Sequence, residues 1–187
     1  MMRGTAQEIA KALQSPDLLE VGGHNMLVYS DLHGLRHIFA KSANTFLQQN
    51  EIVLFGTQYD SIDNIKLALQ NEGIDVQKNI DNGTLFIIDA QEGYQGIDTY
   101  GTFKLGMSLL SRVKKEKRAG LTWMGDMGSF FAFEKVHELI DYEMFCPSKF
   151  EEPIKAVCCY HKGDFDRLQK EEQIRLIEHH FKTIYAE

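Results

Sequence analysis

The segment EIVLFGTQYDS, residues 51–61, indicates the fold class. Its first half is a short, nearly uninterrupted apolar run, which is typical of a strand buried on both faces of a sheet. Its second half is polar and ends in Asp60 and Ser61, either of which can cap a following helix. That helix is predicted to turn Ile62, Ile65 and Leu69 inward and to stop at Gly73. The segment therefore predicts one strand–helix unit.

The same pattern recurs on both sides of this segment. Further apolar runs predict strands at residues 26–29, 84–89, 121–127 and 154–160, and the tail at 181–185 is a candidate edge strand. The connections between these strands have helical spacing, and parallel neighbours need such crossovers. We therefore predict a three-layer α/β fold in which a mostly parallel central sheet carries helices on both faces.

Helix start signals complete this outline. A short helix is expected at residues 5–15, Asp31 can cap the helix after the first strand, and Asp98 or Thr99 opens a long helix that Gly120 ends. One helix, lined by Phe133, Val136, Ile140 and Met144, is expected after the fourth strand, and Asp164 is expected to start the last helix. With no linker in between, we predict one domain over residues 1–187, formed by an N-terminal helical extension at 1–20 and a main body at 21–187.

Charge and cysteine content narrow the function classes. A formal net charge of −7 argues against a nucleic-acid partner, which requires a concentrated basic face. The three cysteines form no disulfide framework, which suits a reducing compartment. No apolar run approaches the roughly 20 residues of a membrane span. A cytoplasmic protein that binds neither membrane nor nucleic acid is predicted.

Polar residues follow the predicted strands at their carboxyl ends, where ligands bind in open parallel sheets. We expect the strand tips to gather Tyr29, Asp126 and Tyr160 around one hollow that suits a small molecule. The alternative is that aspartates such as Asp31 and Asp164 only cap helices.

Signals for other chemistry are weak. The loop after the first strand, residues 30–35, has one glycine and no lysine, so it does not match a phosphate-binding loop. His33 and His37 lack a third metal ligand, and we predict no metal and no cofactor. Cys159 and its neighbour Tyr160 must point to opposite faces of a strand, so Cys159 is interpreted as an inert buried thiol and no catalytic residue is assigned.

Several strings in their order resemble a known family. They include HNMLVY at 24–29, GDM at 125–127, DYE at 141–143, VCCYH at 157–161 and IEH at 177–179. Together they are similar to the MEDS family, the methanogen/methylotroph sensory domain, over about residues 20–187. This resemblance implies a RecA/KaiC-like core that has lost its Walker A phosphate loop, and a sensory role in prokaryotic signalling.

The resemblance also implies site residues. His24, Tyr29, Asp126, Glu143, Cys159, Tyr160 and His179 match its recurrent positions. Two departures stand out: Gly125-Asp126-Met127-Gly128-Ser129 replaces the usual Gly-Glu-Met-Ser-Trp, and His180 replaces a proline. With Asp31 added from the strand-end argument, the predicted ligand-binding residues are His24, Tyr29, Asp31, Asp126, Glu143, Tyr160 and His179.

The leading functional hypothesis is a stand-alone sensory domain that binds a small organic ligand and relays its presence to a signalling protein. The alternative is a nucleotide-binding domain of RecA/KaiC-like descent that does not hydrolyse. An enzyme that uses Asp126, Tyr160 and His161, and a purely structural interaction module, are further hypotheses. Assembly into a homo-oligomer is expected only by analogy with RecA-like proteins.

Overall fold

The architecture is organised around one seven-stranded, all-parallel sheet. A computed structural model describes residues 1–13, 19–90 and 101–186. The strands are β1 (Met2–Gly4), β2 (His24–Tyr29), β3 (Ile52–Thr57), β4 (Leu85–Asp89), β5 (Leu121–Asp126), β6 (Ile154–His161) and β7 (Lys182–Ala186). Their order across the sheet is β1-β7-β2-β6-β5-β3-β4.

Helices cover both faces of the sheet. They are α1 (Ala6–Leu13), α2 (Leu32–Gln48), α3 (Ile62–Asn71), α4 (Val76–Asp81), α5 (Gly101–Glu116), α6 (Gly128–Ala132), α7 (Val136–Phe145), α8 (Lys162–Phe165) and α9 (Lys170–His179). Buried residues of α1–α4 pack on one face, called the first face, and those of α5–α9 pack on the other, called the second face. The predicted three-layer α/β fold with a parallel sheet is confirmed.

Side chains of the central strands point alternately to the first and the second face. In β2, Leu27 and Tyr29 belong to the core of the first face, and Met26 and Val28 belong to that of the second face. All six residues of β2 are buried, which explains why the strand is an apolar run in the sequence.

Capping residues fix the helix starts on the first face. The Asp31 side chain accepts a hydrogen bond from the Gly34 N–H at the start of α2, and Ser61 does the same for Asn64 in α3. Gly73, with a φ of +82°, ends α3 in the left-handed region that favours glycine. Within the described ranges, no helix is both long and apolar enough to cross a membrane.

Three sequence predictions about elements need correction, and one cannot be compared. The tail strand β7 is not at an edge, because β1 pairs with it on its outer side. The region after β5 forms two helices rather than one, with Glu134 at a φ of +57° between them. Asp164 lies inside the short helix α8, and a capping box of Gln169 and Glu172 starts α9 anew. The predicted start at Asp98 or Thr99 lies outside the described residues.

A buried ion pair holds the amino ends of the central strands. The Lys155 ammonium contacts Glu51, whose other oxygen accepts a hydrogen bond of 2.5 Å from the Thr122 hydroxyl. The two charged side chains are only 9% and 3% exposed. Removing one partner of such a pair leaves an uncompensated charge in the interior.

We expect Lys155→Met to lower the free energy of unfolding by about 3 kcal/mol, because Glu51 then stays buried without its cation. Urea denaturation measures the change. Lys149→Met is the matched control, since Lys149 pairs with Glu20 while about half exposed, and its effect is expected to stay within about 0.5 kcal/mol. Equal losses of unfolding free energy in the two variants would contradict a stabilising role for the Lys155–Glu51 pair.

Candidate ligand-binding site

Tyr29 and Asp126 meet at the carboxyl edge of the sheet. The Tyr29 hydroxyl donates to Asp126 Oδ2 over 2.8 Å, and the Gly128 N–H donates to Oδ1 over 2.9 Å. Burial raises the pKa of Asp126 to about 6, although these two hydrogen bonds act in the opposite direction. Burial and the neighbouring Asp126 raise the pKa of Tyr29, so its hydroxyl keeps its proton. Asp126 is therefore a carboxyl group that exchanges its proton near neutral pH.

Other polar groups at this edge pair with one another. The Tyr59 hydroxyl donates to Asp164 over 2.5 Å, and the Ser129 hydroxyl donates to Gln58. The His161 ring lies edge-on to the Tyr29 ring, with their centroids 5.4 Å apart. The polar side chains at the strand ends therefore form a network in which they hydrogen-bond mainly to one another.

Tyr160 does not join this network, and the predicted single hollow around Tyr29, Asp126 and Tyr160 is wrong. Tyr160 is opposite Val28 in the sheet and packs with it on the second face, whereas Tyr29 belongs to the first face. Its hydroxyl donates to Glu143 of α7. The reason is the alternation of side chains along parallel strands, which separates Tyr29 from Tyr160 although both lie near the same sheet edge.

The second face holds a different group of polar residues, which we call the buried cluster: His24, Glu143, Cys158 and His180. His24 Nε2 lies 3.2 Å from Cys158 Sγ and 3.3 Å from Glu143 Oε2. The same Glu143 oxygen lies 3.5 Å from Cys158 Sγ and 3.5 Å from His180 Nε2. His24 comes from β2, Glu143 from α7 and Cys158 from β6, and His180 is the C-cap residue of α9.

Charges within the buried cluster are strongly coupled. Burial raises the pKa of Glu143, but His180 and His24 outweigh it and hold that pKa well below its usual range. Burial lowers the pKa of His24, whereas Glu143 outweighs the effect of burial on His180 and raises its pKa. Burial and Glu143 raise the pKa of the Cys158 thiol well above its usual value. Glu143 is thus an anionic carboxylate with no solvent exposure.

A cavity adjoins the buried cluster on the second face. Its walls are mostly apolar and include Ile88, Trp123, Phe130, Tyr142, Phe150 and Ala156. The lining residues that carry a polar group or a thiol are His24, Asp126, Ser129, Tyr142, Cys146 and Cys158. The cavity has a volume of about 70 Å³, and one water needs roughly 10–15 Å³. It can hold several waters or a compact organic molecule.

The structure divides the predicted site residues into three groups. Tyr29 and Asp126 form one pair, while His24, Glu143 and Tyr160 belong together on the second face. His179 stands beside the buried cluster: its Nε2 lies 2.7 Å from the Cys146 carbonyl oxygen, and its ring centroid is 6.0 Å from that of His24. Asp31 is apart from all of them and caps α2.

Two members of the buried cluster, Cys158 and His180, were missed from sequence. One signal was available, because Cys158 is two residues before Tyr160 on β6 and must share its face, while Cys159 faces away. His180 carried no such signal. Only the end of α9 brings it to Glu143.

Comparisons with known proteins agree with this fold. No curated protein matches the sequence. One similar solved structure is an uncharacterized protein from Pyrococcus horikoshii in complex with an unknown peptide, with a TM-score of 0.66 at 13% identity, covering 97% of this chain and 84% of that one. At this identity the likeness concerns the fold alone. The profile of the MEDS family, described as methanogen/methylotroph, DcmR sensory domain, matches residues 23–180. Because that match spans most of the chain, the protein belongs to the MEDS family of sensory domains.

Proposed function

We propose that the protein senses a small organic molecule, which it binds in the cavity on the second face. The observation that carries this proposal is the cavity itself, with apolar walls and a few polar groups beside the central strands. Membership in a sensory family supports a binding role. The strand-end network of Tyr29 and Asp126 borders this receptor site rather than forming it.

The cavity walls define the chemistry of the proposed ligand. Trp123, Phe130 and Ala156 offer apolar contact, and the hydroxyl of Ser129 is already bonded to Gln58. Asp126 already accepts hydrogen bonds from Tyr29 and Gly128. Polar recognition is therefore left mainly to Cys158 and to His24, whose Nδ1 has no hydrogen-bond partner among the described residues. A compact molecule with an apolar body and one polar group fits these walls best.

Relay to a partner requires that the ligand bind two states of the protein with different affinity. Tyr142 and Cys146 border the cavity at one end of α7, and His179 of α9 holds the Cys146 carbonyl. Movement of these groups on ligand binding would shift α7 and α9 together. We propose that a signalling protein recognises their outer surfaces, where Phe145 is 56% and Ile174 is 43% exposed.

The nucleotide-binding alternative has less support. A phosphate would need the N–H groups at the start of α2, but the Asp31 carboxylate occupies this position. A Cβ added at Gly34 would also lie 2.9 Å from Ala6, so α1 closely approaches this turn. A larger rise in melting temperature with a non-hydrolysable ATP analogue than with any small organic compound would favour the alternative.

Trp123 makes the proposal testable, because it is the single tryptophan of the chain and lines the cavity. Short-chain alcohols, aldehydes and ketones, and dichloromethane, are suitable probes for a fluorescence titration. We expect at least one of them to change the Trp123 emission in a saturable way. No response to any probe, together with no retained molecule in native mass spectra of protein from its own host, would contradict the proposal.

Gly125→Ala should weaken this binding by about tenfold, because its methyl group enters the cavity. The new Cβ would lie 3.6 Å from Trp123 Nε1, an ordinary contact, so the fold should tolerate it. Titration with the responding probe measures the change. Ser42→Ala, at a buried position of α2, is the control and should leave the affinity unchanged. Equal affinity in wild type and Gly125→Ala would place the ligand elsewhere.

A further inference from the structure

The buried cluster has the dimensions of a metal site. A tetrahedral zinc ion with bonds of about 2.0–2.3 Å sets its ligand atoms about 3.3–3.8 Å apart. Four of the six separations among the ligand atoms of His24, Glu143, Cys158 and His180 are 3.2–3.5 Å. All of these atoms lie within 4.8 Å of one another. Imidazole nitrogen, thiolate sulfur and carboxylate oxygen are all ligand types that zinc binds in proteins.

His180 is oriented as a ligand. Its Nδ1 lies 2.7 Å from the Leu176 carbonyl oxygen, which can only accept, so Nδ1 carries a hydrogen. Nε2 then faces Glu143 at 3.5 Å, longer than an ordinary hydrogen bond. Without a metal, Glu143 favours the protonated ring by raising the pKa of His180, and a metal ion would take the place of that proton on Nε2. Nε2 of His180 is thus a buried nitrogen lacking a hydrogen-bond partner in the described structure, and a cation beside it would satisfy both it and the carboxylate.

Outer contacts also resemble those of a metal site. The Leu176 carbonyl fixes the ring of His180, and the Tyr160 hydroxyl holds the other oxygen of Glu143. Such outer hydrogen bonds orient metal ligands in proteins. Nδ1 of His24 has no hydrogen-bond partner among the described residues. Of the two imidazoles, that of His180 is therefore the one oriented by an outer hydrogen bond.

A cysteine–histidine catalytic pair is the competing interpretation of the same residues. In such a pair, a third group binds the histidine nitrogen that faces away from the nucleophile. Here Glu143 and Cys158 both approach Nε2 of His24, and Nδ1 is left without either. The groups converge on a common point instead of forming a relay.

We propose that the buried cluster binds one zinc-type divalent cation through His24 Nε2, His180 Nε2, Cys158 Sγ and a Glu143 oxygen. Four protein ligands make this a closed, structural site rather than a catalytic one. The cation would tie α7 and the end of α9 to β2 and β6, next to the cavity. This proposal does not depend on the cavity ligand, although the cation would help to position the cavity wall formed by His24 and Cys158.

The test uses the whole protein, purified without chelator, and zinc or cobalt as the probe. We expect about one zinc per chain by elemental analysis and a lower melting temperature after chelation. Replacement by Co²⁺ should give the visible bands of a tetrahedral site and a thiolate charge-transfer band. Folded wild-type protein that takes up neither metal would overturn the proposal.

Cys158→Ala and Cys159→Ala form a matched pair, since these neighbours face opposite layers of the fold. Cys158→Ala should remove the thiolate band and weaken Co²⁺ binding by more than about 100-fold, beyond the usual effect of losing an outer contact. Cys159→Ala should retain both. Loss of the band in Cys159→Ala alone, or its retention in Cys158→Ala, would refute this ligand set. If Cys158→Ala does not fold, the double variant Cys146→Ala/Cys159→Ala decides, because Cys158 is then the one cysteine left in the sequence and the thiolate band should persist. The probe titrations of Trp123 remain an independent test of the cavity.

Discussion

Glu143→Ala is expected to lower the free energy of unfolding by about 4–5 kcal/mol, the largest loss among the substitutions considered. The carboxylate is fully buried and contacts the Tyr160 hydroxyl, the Cys158 thiol, His24 and His180. Removing it leaves several polar groups without partners in the interior, and each unsatisfied group costs about 1–3 kcal/mol. Chemical denaturation of chelator-treated protein measures the loss without any contribution from a metal.

Asp141→Ala is the matched control for Glu143→Ala, because Asp141 is an exposed carboxylate on the same helix. We expect its effect to stay within about 0.5 kcal/mol. Glu143→Gln, which keeps an oxygen acceptor for Tyr160, should fall between the two. A loss below about 1 kcal/mol in Glu143→Ala would show that the buried cluster does not organise the second face.

Asp126→Asn is expected to change how stability depends on pH. The folded-state pKa of about 6 lies above the ordinary aspartate value of 3.8. At pH values between the two, the folded state therefore holds a proton that the unfolded state has lost. This contribution to wild-type stability is complete below about pH 4 and disappears as the pH rises through 6. The whole change corresponds to about 3 kcal/mol.

Because asparagine does not titrate, Asp126→Asn lacks this pH dependence. Its stability relative to wild type should therefore improve by about 3 kcal/mol between pH 3 and pH 7.5. Urea denaturation of both proteins across this range gives the difference. Asp63→Asn, at an exposed position of α3, should show a nearly constant difference. A constant difference for Asp126→Asn as well would mean that Asp126 titrates like an exposed aspartate.

The central strands and the helix caps were predictable from sequence because local chemistry determines them. A strand covered on both faces is mostly apolar, as Ile52–Thr57 is. Asp31 and Ser61 supply the side-chain oxygens that cap helix starts. The edge strand β1 has three residues, too few for a pattern. Its pairing with β7 therefore could not be foreseen, and β7 was wrongly placed at an edge.

The site was predictable only in part, because its geometry depends on which face each side chain takes. Polar strand ends pointed to Tyr29, Asp126 and Tyr160, but alternation sends Tyr160 to Glu143 on the opposite face from Tyr29. His24 and Glu143 were predicted as site residues from the resemblance to the MEDS family. His180 could not be found in this way, because its contact with Glu143 depends on where α9 ends.

Ligand binding in the cavity is best tested by a crystal structure of the protein purified from its own host. We expect a small organic molecule in the cavity, in contact with Trp123 and Ala156 and near His24 and Cys158. A cavity that holds only water, with a ligand bound instead on the first face of the sheet, would contradict it.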